Sequence, residues 1–317
     1  MCRSRSVSVE WALPTLLLYA PNAEIIKAAV AKRNTKPGKG LLLVIGDPLG
    51  DLVGAEKEAR AIGKAASGEA TLLLRGNATL NNVRDACRTA ELIHFATHGV
   101  YLEDAPLSSG ILLHLPVGMS GTDLTEFGER VIRGRSTTES PSHGGRVITF
   151  SSNTDGRVVI YRNEHGLVYM KRYDIAGAGR FVSLLSEDRN VHGHLLTGYE
   201  IRHFDLSQCS HVTLSCCRAT FVNPYDRVSE FNGIIRGFLA AGIPSVVANP
   251  WPIPDDVTFR FIREFYEDTT RPARASSLYR RSRAFCDTQR RFILGPRWTA
   301  GSEDYLLLGG FLFYGVG

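Results

Sequence analysis

Short apolar runs that alternate with helical stretches constrain the fold of this 317-residue chain more than any other feature. The clearest runs are residues 41–48, 92–99, 211–217 and 245–251. Each is mainly apolar and ends in polar, reactive or turn-forming side chains, which is typical of a parallel strand buried on both faces. Helical patterns at residues 55–66 and 77–90 separate the early runs, and this alternation predicts βαβ units. We therefore expect an α/β fold with a mainly parallel sheet between helices.

Composition indicates a soluble globular protein, with 44% hydrophobic and 22% charged residues. No apolar stretch approaches the length of about 20 residues that a membrane span needs, and we find no secretory signal at the start of the sequence. The six cysteines are irregularly spaced without a CxxC pair, which is typical of free thiols in a reducing compartment. A cytoplasmic protein without a membrane segment is predicted.

Most of the net charge of +5 comes from residues 271–297, which contain eight arginines and one acid. Leu278, Phe285 and Phe292 recur there at every seventh position, as on one face of a helix. An amphipathic surface helix with a solvated basic face explains this pattern better than a nucleic-acid site, because aromatic platforms and known nucleic-acid motifs are not evident. We therefore do not expect nucleic acid as a partner.

Residues 116–181 interrupt the α/β pattern and are predicted to form a β-rich insertion. Three runs of β-branched and aromatic residues lie at 146–150, 157–161 and 167–171, with Asn- and Gly-containing turns between them. This spacing predicts an antiparallel meander. The segment just before it, residues 136–145, is interpreted as a loop.

Residues 1–40 are interpreted as an N-terminal strand followed by a linker rich in Lys, Gly and Pro. The strand-like run lies within residues 9–27 and has no partner in its own neighbourhood. It is either the remnant of a preceding domain or a strand that joins the chain's own sheet. Residues 41–317 are predicted to form the main domain.

Two of the predicted strands end in side chains capable of nucleophilic catalysis, His98 in the first and Cys217 in the second. In an open parallel sheet the reactive groups lie at the carboxyl ends of the strands. If the two strands are neighbours, they bring an imidazole and a thiol into one crevice, as a cysteine nucleophile requires. The alternative is that both residues are structural, since isolated histidines and cysteines in strands mostly belong to the core. The spacing alone leaves both hypotheses open.

The motifs around these residues resemble those of CHAT-domain peptidases, relatives of caspases and separase. Residues 94–99, His-Phe-Ala-Thr-His-Gly, are similar to the family's histidine motif, and residues 214–217, Leu-Ser-Cys-Cys, are similar to its cysteine motif. Further blocks lie in the family's order: Gly46-Asp47-Pro48 before a helix with Glu58-Ala59, residues 233–242, residues 245–255, and Phe265-Tyr266. The resemblance covers residues 41–115 and 182–317 and implies a caspase-like α/β domain.

The resemblance implies a cysteine endopeptidase with a dyad of His98 and Cys217 that cleaves a protein substrate through a thioester acyl-enzyme. The backbone N–H groups of Gly99 and Cys217 would form the oxyanion hole. A backbone carbonyl, and not an acidic residue, would orient the histidine. Cys216 would face the core, because neighbours on a strand point to opposite faces. His94, four residues before His98, would be a structural or supporting residue.

A carboxylate four residues beyond Trp251 suggests how the substrate is selected. In the separase-like branch, the acid at this place receives an arginine from the substrate, so the resemblance implies that Asp255 binds a basic side chain in a bidentate pair. The alternative is that Asp255 caps the helix that follows, for which Asp is a favoured residue.

One departure from the family pattern keeps an alternative function open. Residues 218–220 are Arg-Ala-Thr where the family usually has Glu-Thr-Gly, so a non-catalytic CHAT pseudo-protease that binds proteins is the alternative hypothesis. A nucleotide-binding α/β protein is disfavoured, since the early strands end without Gly-Lys-Ser/Thr or GxGxxG motifs. We expect no metal and no cofactor. A protein substrate and a regulatory protein or preceding domain are the predicted partners.

Overall fold

The structure is a computed structural model that describes most of the predicted α/β elements. The described residues are 23–33, 41–66, 69–100, 109–114, 136–142, 145–152, 156–163, 167–173, 179–186, 193–216, 233–249, 255–270, 280–294 and 311–315. Within these ranges, no helix combines the length and the apolar character needed to cross a membrane.

The described residues form strands and α-helices from Ala23 to Gly315. The strands are β1 (Leu42–Gly46), β2 (Ala70–Leu74), β3 (Leu92–Ala96), β4 (Gly99–Val100), β5 (Gly110–His114), β6 (Ser136–Ser142), β7 (Gly145–Ser152), β8 (Gly156–Asn163), β9 (Leu167–Tyr173), β10 (Gly179–Ser186), β11 (Gly193–Thr197), β12 (His211–Ser215), β13 (Ser245–Ala248) and β14 (Leu312–Gly315). The α-helices are α1 (Ala23–Arg33), α2 (Val53–Ala65), α3 (Leu80–Cys87), α4 (Gly198–Ile201), α5 (Gly233–Ala240), α6 (Asp255–Thr270) and α7 (Arg280–Leu294).

A central sheet of the described residues has the strand order β14-β13-β12-β3-β1-β2. All neighbouring strands in it are parallel except β13 and β14, which are antiparallel. The order places β12 directly beside β3, although more than a hundred residues separate these two strands in the chain. The predicted α/β class with a mainly parallel sheet is confirmed.

The two faces of the central sheet bury separate apolar cores. Leu43 and Ile45 of β1 belong to a core with helices α3, α4 and α5, whereas Leu42 and Val44 belong to a core with helices α2, α6 and α7. Successive strand residues point to opposite faces, so β1 is buried throughout. Helices therefore cover both faces of the sheet, as predicted.

A second, antiparallel sheet of described residues has the order β4-β5-β11-β10-β9-β8-β7-β6. Strands β7, β8 and β9 contain the three predicted runs of the inserted meander, whose antiparallel pairing is confirmed. The meander is longer than predicted, since β6 occupies residues that we interpreted as a loop and β10 continues the sheet to β11. The β6 residues Ser136–Ser142 are mostly hydroxylic, and antiparallel pairing with β7 gives their backbone the partners that local sequence does not indicate. The domain boundaries at 116 and 181 remain predictions.

Two helix caps follow directly from local sequence. Thr79 accepts a hydrogen bond from the amide of Asn82 at the start of α3. Thr197 and Glu200 form a capping box at the start of α4, in which each side chain accepts from the other residue's backbone N–H. A cap of this kind contributes about 1 kcal/mol to stability.

The N-terminal segment contains a helix, α1, between the predicted strand-like run and the predicted linker, where no helix was predicted. Lys32 of this helix donates to the backbone carbonyl of Leu206 at 2.6 Å, which ties α1 to the turn before β12. The strand-like run, residues 11–20, lies outside the described residues, as does the linker at 34–40.

Candidate active site

His98 follows the carboxyl end of β3, two residues beyond Ala96. Its backbone is anchored to β5 on both sides of the Cα. The Thr97 hydroxyl donates to the carbonyl of Leu112 at 2.8 Å, and the amide of Leu112 donates to the carbonyl of His98 at 3.0 Å. The imidazole therefore projects from a fixed backbone at the carboxyl edge of the central sheet, where a catalytic group was predicted.

The ring of His98 contacts a carboxylate. Nε2 lies 3.0 Å from both Oδ1 and Oδ2 of Asp51, and the two side chains are 37% and 27% exposed. This differs from the expectation that a backbone carbonyl and no acidic residue would orient the histidine. Sequence reasoning missed Asp51, because nothing in the local pattern links this residue to a histidine 47 positions later.

The loop that carries Asp51 is held by Asp47, the residue after β1. The Asp47 side chain is buried and its Oδ1 accepts from the amide of Leu52 at 2.8 Å, while its carbonyl accepts from the amide of Gly50 at 3.2 Å. The amide of Asp47 donates to the carbonyl of Ala96 at the end of β3. Asp47 adopts a φ of 46°, in the left-handed region, which Asp tolerates better than most residues. The loop is therefore tied to the strand that precedes His98.

Strand β12 brings the cysteine motif to the same edge of the sheet. It pairs with β3 in parallel, and the register aligns Ser215 with Ala96. Cys216, the next residue, is fully buried, with its Sγ 3.5 Å from the carbonyl of Phe95 and its amide 3.2 Å from Oδ1 of Asn249. The expected location of Cys216 in the core agrees with this burial. Cys217 lies outside the described residues.

Gly99 begins the short strand β4, and the predicted oxyanion hole requires that its N–H is not used in the pairing with β5. Gly99 pairs with Ile111, and the adjoining ladder hydrogen bond runs from the amide of Leu112 to the carbonyl of His98. In an antiparallel ladder this pattern turns the N–H of Gly99 away from β5. Because β4 is the edge strand of its sheet, that N–H points to the side away from the ladder.

Asp255 is the first residue of α6, seven positions after the end of β13. The orientation of its carboxylate lies outside what the structure describes, so the substrate pocket and the helix-end role both remain predictions.

His94 lies on the same strand as His98 but belongs to a buried polar cluster. Its Nε2 is 2.8 Å from Oε1 of Glu58, and the other oxygen of that carboxylate accepts from the Ser215 hydroxyl at 3.2 Å. The ring also meets Tyr266 edge to face, with centroids 5.4 Å apart. This cluster links α2, β3 and β12 below the candidate site, as expected for a structural histidine.

The other described cysteines are poor nucleophiles. Burial raises the pKa of the Cys209 thiol to about 12 and raises the pKa of the Cys87 thiol further. Burial also raises the pKa of the Cys286 thiol. These thiols are therefore protonated at neutral pH, which makes them weak competitors for a thiol-reactive reagent.

Several arginines of the predicted basic helix are paired with acids. Arg281 lies 3.1 Å from Glu91, and Arg291 pairs with both Glu264 and Asp268 of α6. The Arg291 pairs hold α7 against α6. Together the three pairs neutralise part of the basic face of α7, which favours the surface-helix interpretation. Among the residues that the structure describes, no group of three or more His, Cys, Asp or Glu side chains is arranged to hold a metal ion.

Comparisons with known proteins bear on the family of the chain. The sequence model of the CHAT domain matches residues 13–299. No curated protein is similar enough in sequence to match. Among solved structures, separase in the crystal structure of the Saccharomyces cerevisiae separase–securin complex is similar with 12% identity and a TM-score of 0.48. The similarity covers 98% of this chain but only 14% of the separase chain. Because the CHAT match spans most of the sequence, the chain belongs to the CHAT domain family.

Proposed function

We propose that this CHAT-domain protein is a cysteine-type endopeptidase in which His98 and Cys217 form the catalytic dyad. The observation that carries the proposal is the parallel pairing of β3 with β12, which aligns Ala96 with Ser215. His98 and Cys217 are each the second residue beyond these aligned positions. Catalytic groups of open α/β sheets lie at this edge, and a buried Cys216 leaves Cys217 as the neighbouring thiol that can serve as nucleophile.

The chemistry follows from these groups. An unperturbed thiol titrates near about 8.5, so Cys217 requires a base or a nearby cation to react at neutral pH. His98 accepts the proton of the Cys217 thiol, and the sulfur attacks the carbonyl carbon of the scissile bond. The imidazolium of His98 then gives this proton to the departing amine as the C–N bond breaks. Water then hydrolyses the thioester and releases the acid product. The outward N–H of Gly99 and the N–H of Cys217 would bind the oxyanion.

A peptide-library cleavage screen on the full chain tests this function. Cys217→Ala and His98→Ala should each abolish cleavage with the melting temperature retained, and the double variant should be no worse, because residues that act as a unit are not additive. Cys216→Ala is the matched control and should keep most of the activity. If Cys216→Ala removes activity while Cys217→Ala retains it, the assignment of the nucleophile is wrong.

The sequence Arg-Ala-Thr at 218–220 favours a second candidate function, a pseudo-protease that binds proteins without cleaving them. Iodoacetamide distinguishes the two, since the raised pKa values of Cys87, Cys209 and Cys286 make these thiols slow to react and full burial shields Cys216. In a Cys2→Ser background, rapid labelling of Cys217 that depends on His98 supports the peptidase. Slow labelling of Cys217 that is the same in His98→Ala supports the pseudo-protease.

We further propose that the substrate is a specific protein in a regulatory or defence pathway and that a regulatory protein or a preceding domain controls access to the site. The long antiparallel sheet beside β4 and β5 supports this proposal, because inserted elements next to a site commonly carry recognition. A cytoplasmic location is proposed from the six irregularly spaced cysteines. Cross-linking of Cys217→Ala in cells, followed by identification of the trapped protein, tests the substrate class. Recovery of the same proteins with a His98→Ala/Cys217→Ala variant that lacks the insertion would contradict recognition by that sheet.

A further inference from the structure

We propose that Asp51 is a positioning residue for His98, so that the site is a triad of Cys217, His98 and Asp51 rather than a dyad. The effect of Asp51 on catalysis rests on the proposed peptidase function. Its geometric basis is the contact of both carboxylate oxygens of Asp51 with Nε2 of His98 at 3.0 Å.

The contact fixes which nitrogen of the imidazole carries the proton. A carboxylate only accepts hydrogen bonds, so Nε2 of His98 must be the protonated nitrogen in the neutral ring. Nδ1 then has its lone pair free to accept a proton from a thiol. A neutral imidazole held in this tautomer, with a carboxylate ready to stabilise the imidazolium, is the arrangement that a histidine base requires.

Both partners of this contact are held by other residues, which distinguishes it from a casual surface pair. Two hydrogen bonds join the segment around His98 to Leu112 of β5: the Thr97 hydroxyl donates to the carbonyl of Leu112, and the amide of Leu112 donates to the carbonyl of His98. On the other side, the buried carboxylate of Asp47 fixes the loop that carries Asp51 by accepting from Leu52. The carbonyl of Pro48 in the same loop accepts from Nδ1 of His114, also on β5, at 3.2 Å. The loop and the histidine are thus tied to the same strand.

Partial exposure sets the size of the expected effect. With side chains 37% and 27% exposed, the pair is screened by water, so its loss should cost less than the roughly 10⁴-fold of a buried aspartate in a serine-protease triad. We expect Asp51→Ala and Asp51→Asn to lower the rate of Cys217 alkylation and kcat by about tenfold to a hundredfold. KM and the melting temperature should stay unchanged, because the side-chain contact that the described residues show for Asp51 is the partly exposed one with His98.

Two readouts test the inference, and the first does not depend on cleavage. Ring ¹⁵N NMR shifts of His98, assigned by their loss in His98→Gln, report the tautomer: the wild type should carry the proton on Nε2, and Asp51→Ala should populate both tautomers. The second readout is the iodoacetamide rate at Cys217 in the Cys2→Ser background. Asp51→Glu should restore part of this rate, because its carboxylate can still reach the ring.

Glu56→Gln is the matched control, since it removes a nearby carboxylate whose partners are Arg60 and Arg75. It should leave the tautomer and the alkylation rate unchanged. Wild-type values of both readouts in Asp51→Ala and Asp51→Asn would overturn the inference, as would an equal loss in Glu56→Gln. The proposed function fails on a different result, namely cleavage that survives Cys217→Ala. The tautomer measurement stays valid in that case.

Discussion

Buried His211 has hydrogen bonds that suit only an uncharged imidazole, so we predict that acid weakens the fold through this residue. Tyr266 donates its hydroxyl to Oγ1 of Thr213 at 3.0 Å, and that oxygen lies 3.0 Å from Nε2 of His211. On the other side, Nδ1 is 2.8 Å from Oγ of Ser245, whose hydroxyl donates to the carbonyl of Ser210. Each hydrogen bond in this series is donated in the same direction, from the hydroxyl of Tyr266 towards the carbonyl of Ser210, so His211 accepts at Nε2 and donates from Nδ1. A second proton, on Nε2, would meet the hydroxyl hydrogen of Thr213.

The surroundings of the His211 ring also favour the uncharged imidazole. Burial holds the pKa of His211 well below its usual value of 6.5, and Arg281 and His94 lower the pKa further. The rings of Phe265 and Phe313 flank the imidazole at 5.5 and 6.3 Å. No described neighbour among these supplies the negative charge that an imidazolium would need. His211 is therefore neutral in the folded protein at neutral pH and stays neutral as the pH falls below 6.5.

The size of the effect follows from proton linkage. In the unfolded chain His211 titrates near about 6.5, so below that pH the unfolded state binds a proton that the folded state does not. The contribution to the free energy of unfolding is therefore complete above about pH 6.5 and decreases as the pH falls. Between about pH 7.5 and 5.5 the expected loss from His211 alone is about 1.4 kcal/mol. For a chain of 317 residues, that corresponds to about 2 °C in melting temperature.

Urea unfolding of the wild type and His211→Gln at these two pH values measures the loss. Glutamine offers an amide to the two hydroxyls but fills the site less well, so the variant should be less stable than the wild type at both pH values. Because glutamine has no ionisable group, the free energy of unfolding should fall between the two pH values by about 1.4 kcal/mol less in the variant than in the wild type. The double difference cancels the other titrating groups. His203→Gln, at an exposed histidine after α4, should lose as much as the wild type. Equal losses in the wild type and His211→Gln would refute a neutral buried His211.

Three further predictions concern packing, the insertion and specificity. Gly237→Ala should lower the free energy of unfolding in urea by about 1–3 kcal/mol, because a Cβ there would lie 2.6 Å from the Cα and 2.7 Å from the carbonyl oxygen of Gly198. Gly76→Ala is the control and should leave this free energy unchanged, because its Cβ would meet no atom closer than 3.8 Å. Replacing residues 118–179 with a short Gly/Ser linker should keep the melting temperature while changing cleavage of protein substrates, since every strand of the central sheet lies outside that range; a collapse of stability would contradict this. Asp255→Asn should lower kcat/KM for a substrate with Arg or Lys before the scissile bond by about a hundredfold at constant melting temperature, whereas a loss of about 1 kcal/mol with unchanged specificity would show a helix-end role only.

Sequence alone predicts the elements whose signals are local. The strands that end in the histidine and cysteine motifs are apolar throughout because both faces are covered, and β3 is buried along its whole length. The caps at Thr79 and Thr197 depend on contacts three residues away. Alternation of strand and helix then requires parallel neighbours, which is what the central sheet shows.

Other parts of the fold depend on pairings that local sequence does not encode. β5 and β11 pair over five positions although some eighty residues lie between them, and the single aligned pair of Ser183 and His194 joins the inserted strands to β11. The composition of β6, Ser136–Ser142, favours a loop, yet its hairpin with β7 supplies the backbone hydrogen bonds of a strand. Helix α1 was missed for a similar reason, since its contacts are with distant parts of the chain such as Leu206.

The candidate site shows the same division between local and distant information. A motif identifies His98 and Cys217 because the reactive residue and its strand are contiguous, but no motif identifies Asp51, whose partner lies 47 residues away. Asp51 reaches His98 only because β1 and β3 are parallel neighbours with Gly46 beside Ala96, which brings the loop after one strand against the residue after the other. Any side chain of similar length at position 51 with a hydrogen-bond acceptor would lie within reach of Nε2 of His98. The third member of such a site is therefore set by the sheet register and the Asp47 loop, and it can be identified only once that register is known.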